Sequence, residues 1–156
     1  MLSGLLKWAA LLLAVLFAGS QLFRPDRTNP PTDGAKMSAE GILMSSAVKP
    51  IFDRACLDCH SNETRWPWYS HVAPVSWLVI NDVREAREHM NLSEWAKYNR
   101  EEAADLLGKI CKETSGGDMP LPSYVWMHRG AKLSPEDVRT LCEWSRSARQ
   151  QLTQAK

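Results

Sequence analysis

From Trp8 to Gly19 the chain reads WAALLLAVLFAG, with no polar or charged side chain, and the apolar stretch extends from Leu2 to Phe23 with only Ser3, Lys7, Ser20 and Gln21 interrupting it. A core helix of a small domain shows an apolar stripe, not apolarity all round, so residues 1–23 are expected to be a signal anchor, with a secretory signal cleaved after Ala18-Gly19-Ser20 as the alternative. At about 1.5 Å per residue the stretch is long enough to span a bilayer. The next segment, RPDRTNPPTDGAK (24–36), has three prolines and no large apolar side chain. It reads as an extended Pro-rich linker. Beyond it the apolar positions recur at three and four. Val48, Ile51, Phe52, Ala55, Cys56 and Cys59 share one helical face, and Val75, Val79, Val83, Ala86 and Met90 share a second, introduced by Pro74. Asn99 with Glu102 starts a third helix through Ala103, Leu106, Leu107, Ile110 and Cys111, which Gly116-Gly117 ends. Ser134-Pro135-Glu136-Asp137 starts a fourth through Val138, Leu141, Cys142 and Ala148. No alternating run is long enough for a strand. The expectation is an all-α domain over 37–150, preceded by one transmembrane helix and followed by a short tail, 151–156.

Composition narrows the function. The chain has 156 residues, with 19 Lys+Arg against 18 Asp+Glu, a net charge of +1 that leaves no bulk electrostatic case for nucleic acid. Seven Trp against three Phe and three Tyr require a fold that buries or stacks large flat rings. Four Cys are too few for a disulfide-built scaffold, so their spacing is read pair by pair.

Cys56-Leu57-Asp58-Cys59-His60 carries the chemistry. Two thiols on one turn can add to the two vinyl groups of a haem, and the adjacent His60 then meets the iron from the same side. A thioredoxin-like pair would require a βαβ context that the pattern lacks. A zinc site would require two more ligands, and Cys111 and Cys142 stand far apart in sequence. Covalent haem attachment belongs outside the cytoplasm, so it also orients the anchor. Arg24 and Arg27 after the segment, against Lys7 before it, leave the charge rule undecided. The haem domain is therefore expected on the periplasmic face of the cytoplasmic membrane, held there by residues 5–23.

The run CLDCHSNETRWPWYSHVAPVSWLVINDVREAREHMNLSEW, with QLFRPDRTNPP upstream and MPLPSYVWMHRGAKLSPED downstream, resembles the bacterial haem-binding domain family built on CxxCHSNxTxWPWY. That resemblance implies a membrane-tethered or secreted monohaem c-type protein, found alone or joined to other cytochrome or peroxidase modules, without a defined enzymatic activity.

For the second axial position, Met119 in the Gly-Gly-Asp-Met-Pro loop resembles the methionine that closes the far face of small class I cytochromes c; a thioether there favours reduced iron. His128, His89, Met90 and His71 are the alternatives, as is an open sixth site with Met119 merely packing. Trp66, Trp68 and Tyr69 are candidates for a haem-edge wall, or else pack as ordinary core. Arg65, Arg84 and Arg87 are propionate-pairing candidates or solvated charges, and Tyr124 and Trp126 are expected to pack the Met119 loop. Cys111 and Cys142, each on the apolar stripe of its helix, are expected to form a disulfide in an oxidising compartment. The functional expectation is an electron carrier with one haem c, exchanging electrons with redox partner proteins. The alternatives are a haem-based sensor or small-ligand binder, or a haem subunit of a peroxidase or other oxidoreductase.

Overall fold

The computed structural model describes residues 2–32 and 44–154. The expected domain start at 37, the last part of the linker (33–36) and the final two residues of the tail lie outside the described residues. Seven α-helices and three 3-10 turns occur among those described, with no strand. The fold is all-α.

Helix α1 (Leu2–Ser20) stands apart from the rest. Its window Ser3–Ser20 has a mean hydropathy of 1.7 and no residue buried by the protein, so its apolar surface has no core to cover it. It is long and apolar enough to cross a membrane.

The core lies between the helix that leads into the cysteines and the last two long helices. Helix α2 (Lys49–Ala55) buries Ile51, Phe52 and Ala55, and α3 (Leu57–His60) adds one turn after a break at Cys56. Helix α4 (Val75–His89) buries Ser76, Val83 and Ala86. Helix α5 (Arg100–Gly116) starts on a full capping box, in which Asn99 accepts from Glu101 and Glu102 N–H while the Glu102 carboxylate accepts from Asn99 N–H. It ends at Gly117, whose φ of 80° is the left-handed conformation that glycine adopts without a Cβ penalty. Helix α7 (Pro135–Gln154) packs along α5, and Ser145 Oγ donates to Leu107 O across the contact. Cys111 on α5 and Cys142 on α7 are joined by a disulfide with their Cα atoms 4.6 Å apart. On the other side Phe52 meets Trp144 edge-on, with ring centroids 5.3 Å apart.

Two boundaries differ from expectation. Residues 24–32 are not a free linker. Arg24 donates to His71 O (2.8 Å), Arg27 to Ser70 O (3.0 Å) and Asn29 to Thr64 O (2.9 Å), while Arg87 donates to Thr28 O (2.9 Å). Prolines deny the segment a helix of its own. The irregular stretch 64–73 leaves carbonyls in need of donors, so the two satisfy one another. The tail is likewise no tail, because α7 continues to Gln154 and Leu152 packs against the core.

Candidate haem-binding site

Cys56 terminates α2, its N–H bonded to Phe52 O (3.0 Å), and the turn of α3 then brings Cys59 and His60 N–H onto Cys56 O at 3.2 and 2.9 Å. One helical turn therefore holds both thiols and the imidazole. Both thiols are unpaired and half-buried. Burial, reinforced by the neighbouring Cys59, pushes the Cys56 thiol up to about 12; burial, with Asp58 and Asp82 nearby, pushes Cys59 up to about 11. Both are thus neutral thiols in the folded chain.

His60 is the most constrained member. Its Nδ1 lies 3.0 Å from Met90 O, and a carbonyl only accepts, so Nδ1 carries the proton and Nε2 keeps its lone pair. Burial lowers its pKa, partly offset by the backbone carbonyls of Met90 and Ala86, which keeps the ring neutral at pH 7. A neutral imidazole with Nδ1 tied to a carbonyl and Nε2 free is the form that ligates a metal, and the tie fixes the ring's orientation.

The residues after His60 form a frame. Ser61 is fully buried, its Oγ donating to Leu57 O (2.7 Å) and accepting from Glu63 N–H (3.0 Å). Asn62 N–H donates to Ser93 Oγ (2.9 Å), Asn91 Nδ2 donates to Asn62 Oδ1 (2.8 Å), and Ser93 N–H donates to Asn91 Oδ1 (3.0 Å). Arg87 closes the frame, with Nε donating to Ser61 O (2.8 Å) and Nη2 to Thr64 Oγ1 (2.8 Å). Arg87 is therefore tied to the motif's own backbone and to residues 28–29, neither a solvated charge nor a free propionate partner. Reasoning from sequence missed this frame. Its one available signal was Asn91-Leu92-Ser93, an Asn cap two residues before a polar donor, which here caps the 3-10 turn Leu92–Lys97.

Asp58, inside the pentapeptide, is a second hub. Arg65 Nε and Nη2 donate to it at 2.9 and 3.2 Å, and Tyr124 Oη donates at 2.7 Å. Burial alone would raise its pKa, but the bonds from Arg65 and Tyr124 hold the carboxyl below its usual value. Burial and the bond to Asp58 push the Tyr124 phenol well up. Arg65 thus already has its anion, whereas Arg84 is exposed beside Asn81 and Glu88.

Through Tyr124, helix α6 (Pro122–Met127) attaches the Met119 loop to the pentapeptide. Met119 itself is half-buried in that loop, and its N–H donates to Glu113 O (3.1 Å). His128 stacks on Tyr124 with centroids 4.2 Å apart, its Nδ1 donates to Tyr124 O (3.2 Å), and Tyr69 Oη lies 3.4 Å from its Nδ1 and 3.5 Å from its Nε2. His89 and His71 are exposed, and the backbone O of Met90 lies behind the His60 ring, on the side away from Nε2. Trp126 is 75% exposed, so it does not pack the Met119 loop as expected: its side of α6 faces outward from the domain.

Trp66 and Trp68 separate. Trp68 is 74% exposed, which excludes ordinary core packing for it, and Tyr69 meets it edge-on at 5.8 Å. Trp66 points its Nε1–H inward, where it is buried without a hydrogen-bond partner among the described residues. An orphaned donor of this kind costs about 1–3 kcal/mol and fits an anionic acceptor on a bound group. A cleft of about 570 Å³ opens beside Asp58, lined by Arg54, Arg65, Tyr124 and His128 among others. None of the two thiols, His60 and Met119 lines it, so it flanks the motif rather than forming its ligand side. Paired thiols, a neutral oriented imidazole and an unmet indole donor together suit a haem. The disulfide removes Cys111 and Cys142 from any zinc site.

No curated protein and no solved structure matches the chain. A family model described as a haem-binding domain matches residues 15–147, nearly the whole chain, and the protein belongs to the haem-binding domain family.

Proposed function

We propose that this haem-binding protein is a monohaem c-type electron carrier, anchored by α1 in the cytoplasmic membrane with its domain on the periplasmic face. The observation that carries the reading is the bond from His60 Nδ1 to Met90 O, beside two thiols one turn apart, in a haem-binding family. Haem, when bound, supplies a one-electron couple. Cys56 and Cys59 would hold it by thioether bonds, since a thiol S–H can add across a vinyl group with no external oxidant or reductant. His60 would offer Nε2 to the iron, with Met90 O keeping the ring from turning. Trp66 Nε1 donates to a propionate. Met119 would supply the second ligand to the iron: its loop is joined through Tyr124 to Asp58 of the pentapeptide, while the His128 Nδ1 is already engaged by Tyr124 O. The partners are redox proteins, and the chain carries out no catalytic reaction of its own.

Acid–acetone extraction of purified protein is expected to leave the haem on the polypeptide; free extraction overturns covalent attachment. Reduced protein is expected to keep its spectrum under carbon monoxide, and Met119→Ala to make it carbon monoxide-reactive. Ready binding by the unaltered protein would replace the carrier by the sensor or small-ligand binder. Loss of low-spin iron in His128→Ala, with Met119→Ala silent, would move the second ligand to His128.

A further inference from the structure

The junction between α1 and the domain is built, not loose. Gln21 bonds Ala73 in both directions, its Nε2 donating to Ala73 O (3.0 Å) and its Oε1 accepting from Ala73 N–H (3.1 Å). Trp77 Nε1 donates to Phe23 O (2.6 Å), and Arg24 and Arg27 donate to His71 O and Ser70 O. The chain leaving α1 is therefore held against the start of α4 by side chains from both partners.

Apolar exposure concentrates at this same place. Leu22 and Phe23 are 81% and 75% exposed, and Leu78 is 67% exposed, with Val75 and Trp77 open beside it. On α4 the outward apolar residues are confined to the first turn. The exposed positions that follow are Arg84, Glu85, Glu88 and His89, all polar. A helix that merely tolerated surface apolar groups would scatter them. Here they meet the end of an apolar span, next to two arginines and an indole whose N–H is satisfied while its ring edge stays open, a composition suited to the headgroup region.

We propose that Leu22, Phe23, Val75, Trp77 and Leu78 form a docking face that rests in the interface of the membrane that α1 enters. The occupant is the lipid surface, and the proposal builds on the anchor reading above. The patch is continuous with the span, and the hydrogen bonds of residues 21–27 prevent the domain from turning it away. The docked face also fixes the haem site's distance from the bilayer. Asn29 reaches Thr64, four residues after His60, and nine extended residues from Ser20 cover at most about 30 Å. An electron carrier so held presents one face to membrane-bound partners instead of sweeping a volume around a flexible tether.

The test uses the full-length, haem-loaded protein reconstituted in phosphatidylcholine–phosphatidylglycerol vesicles, with a nitroxide on one introduced cysteine at a time. The positions are Leu12→Cys in the span, Val75→Cys and Leu78→Cys in the face, and exposed Ser147→Cys on α7 as the aqueous reference. Collision rates with oxygen and with a water-soluble nickel chelate report lipid or water at each label. The expected result is a higher oxygen-to-nickel ratio at 75 and 78 than at 147, shifted toward the ratio at 12. A lipid-like ratio at 12 with water-like ratios at both 75 and 78 overturns the docking face and leaves the anchor standing. A water-like ratio at 12 overturns the anchor, and the docking face with it.

Discussion

The α5–α7 pair and the Cys56–Ala73 stretch are stabilised by different means. The pair consists of two long helices with strong caps, an apolar seam and a covalent link between Cys111 and Cys142. The stretch contains a four-residue helix and a four-residue 3-10 turn. It owes its shape to side chains that bond backbone from outside: Arg87 onto Ser61, Ser93 onto Asn62, and Arg24, Arg27 and Asn29 onto the carbonyls of residues 64–71. Short helices do not hold themselves in water, so the haem motif depends on residues distant in sequence. A haem attached there as proposed would meet a backbone already fixed at many points.

The largest expected effect comes from the first region. The disulfide closes a separation of 31 residues, and removing such a link costs roughly 3–4 kcal/mol in the chain-entropy model. The double variant Cys111→Ser/Cys142→Ser should unfold at markedly lower denaturant while its reduced haem spectrum stays unchanged, since the Met119 loop is fastened separately by Glu113 O and by Tyr124. A changed axial spectrum at full folding would show that the two regions are coupled through the distal loop.

Arg87→Met sharpens the comparison from the other side. It keeps a long apolar stem and removes charged hydrogen bonds to Ser61 O, Thr64 Oγ1, Thr28 O and Asn29 Oδ1. Charge-assisted bonds are each worth more than neutral ones, yet water replaces part of them at this half-buried position. A stability loss of about 2–3 kcal/mol is expected. Unlike the disulfide variant, this one should also disturb haem incorporation, because it frees the segment that follows His60. Normal haem content and an unaltered spectrum would show that the frame is not needed at the site.

How much could be read from the sequence divides along the same line. The long helices were legible because 3.6-residue periodicity and local caps such as Asn99/Glu102 and Ser134/Asp137 lie within one short window. That Cys56, Cys59 and His60 share one turn was legible because the three are contiguous. Helix α6, the 3-10 turns and the strap of residues 24–32 were not. Their hydrogen bonds join residues tens of positions apart, as Arg24 with His71 and Arg54 with Gly130, and no local pattern encodes such a partner. The role of Met90 was hidden for a related reason: its backbone carbonyl, not its thioether, serves His60.

The smallest expected effect lies where α7 meets α2, the helix that leads into the second region. Asp137, in the first turn of α7, has its carboxylate accepting from Ser134 N–H and Oγ at 2.7 Å each, while Ser134 Oγ accepts from Asp137 N–H. The same carboxylate pairs with Arg54 of α2 at 2.6 Å, and Arg54 also donates to Gly130 O and Lys132 O. Burial alone would raise its pKa, but the Ser134 donors and Arg54 hold it below the usual carboxylate value. A carboxyl depressed on folding stabilises the protein above its unfolded pKa of about 4, and that contribution is lost as pH falls through the lower folded value. Asp137→Asn should therefore cost about 1–2 kcal/mol at pH 7, a cap and a partly exposed ion pair together. The difference from the unaltered protein should shrink steadily as pH falls below about 4. Urea unfolding at pH 7 and near pH 3 measures both numbers. A penalty of equal size at the two pH values would mean that packing of the Asp137 side chain, not its charge, joins α7 to the helix leading into the haem motif.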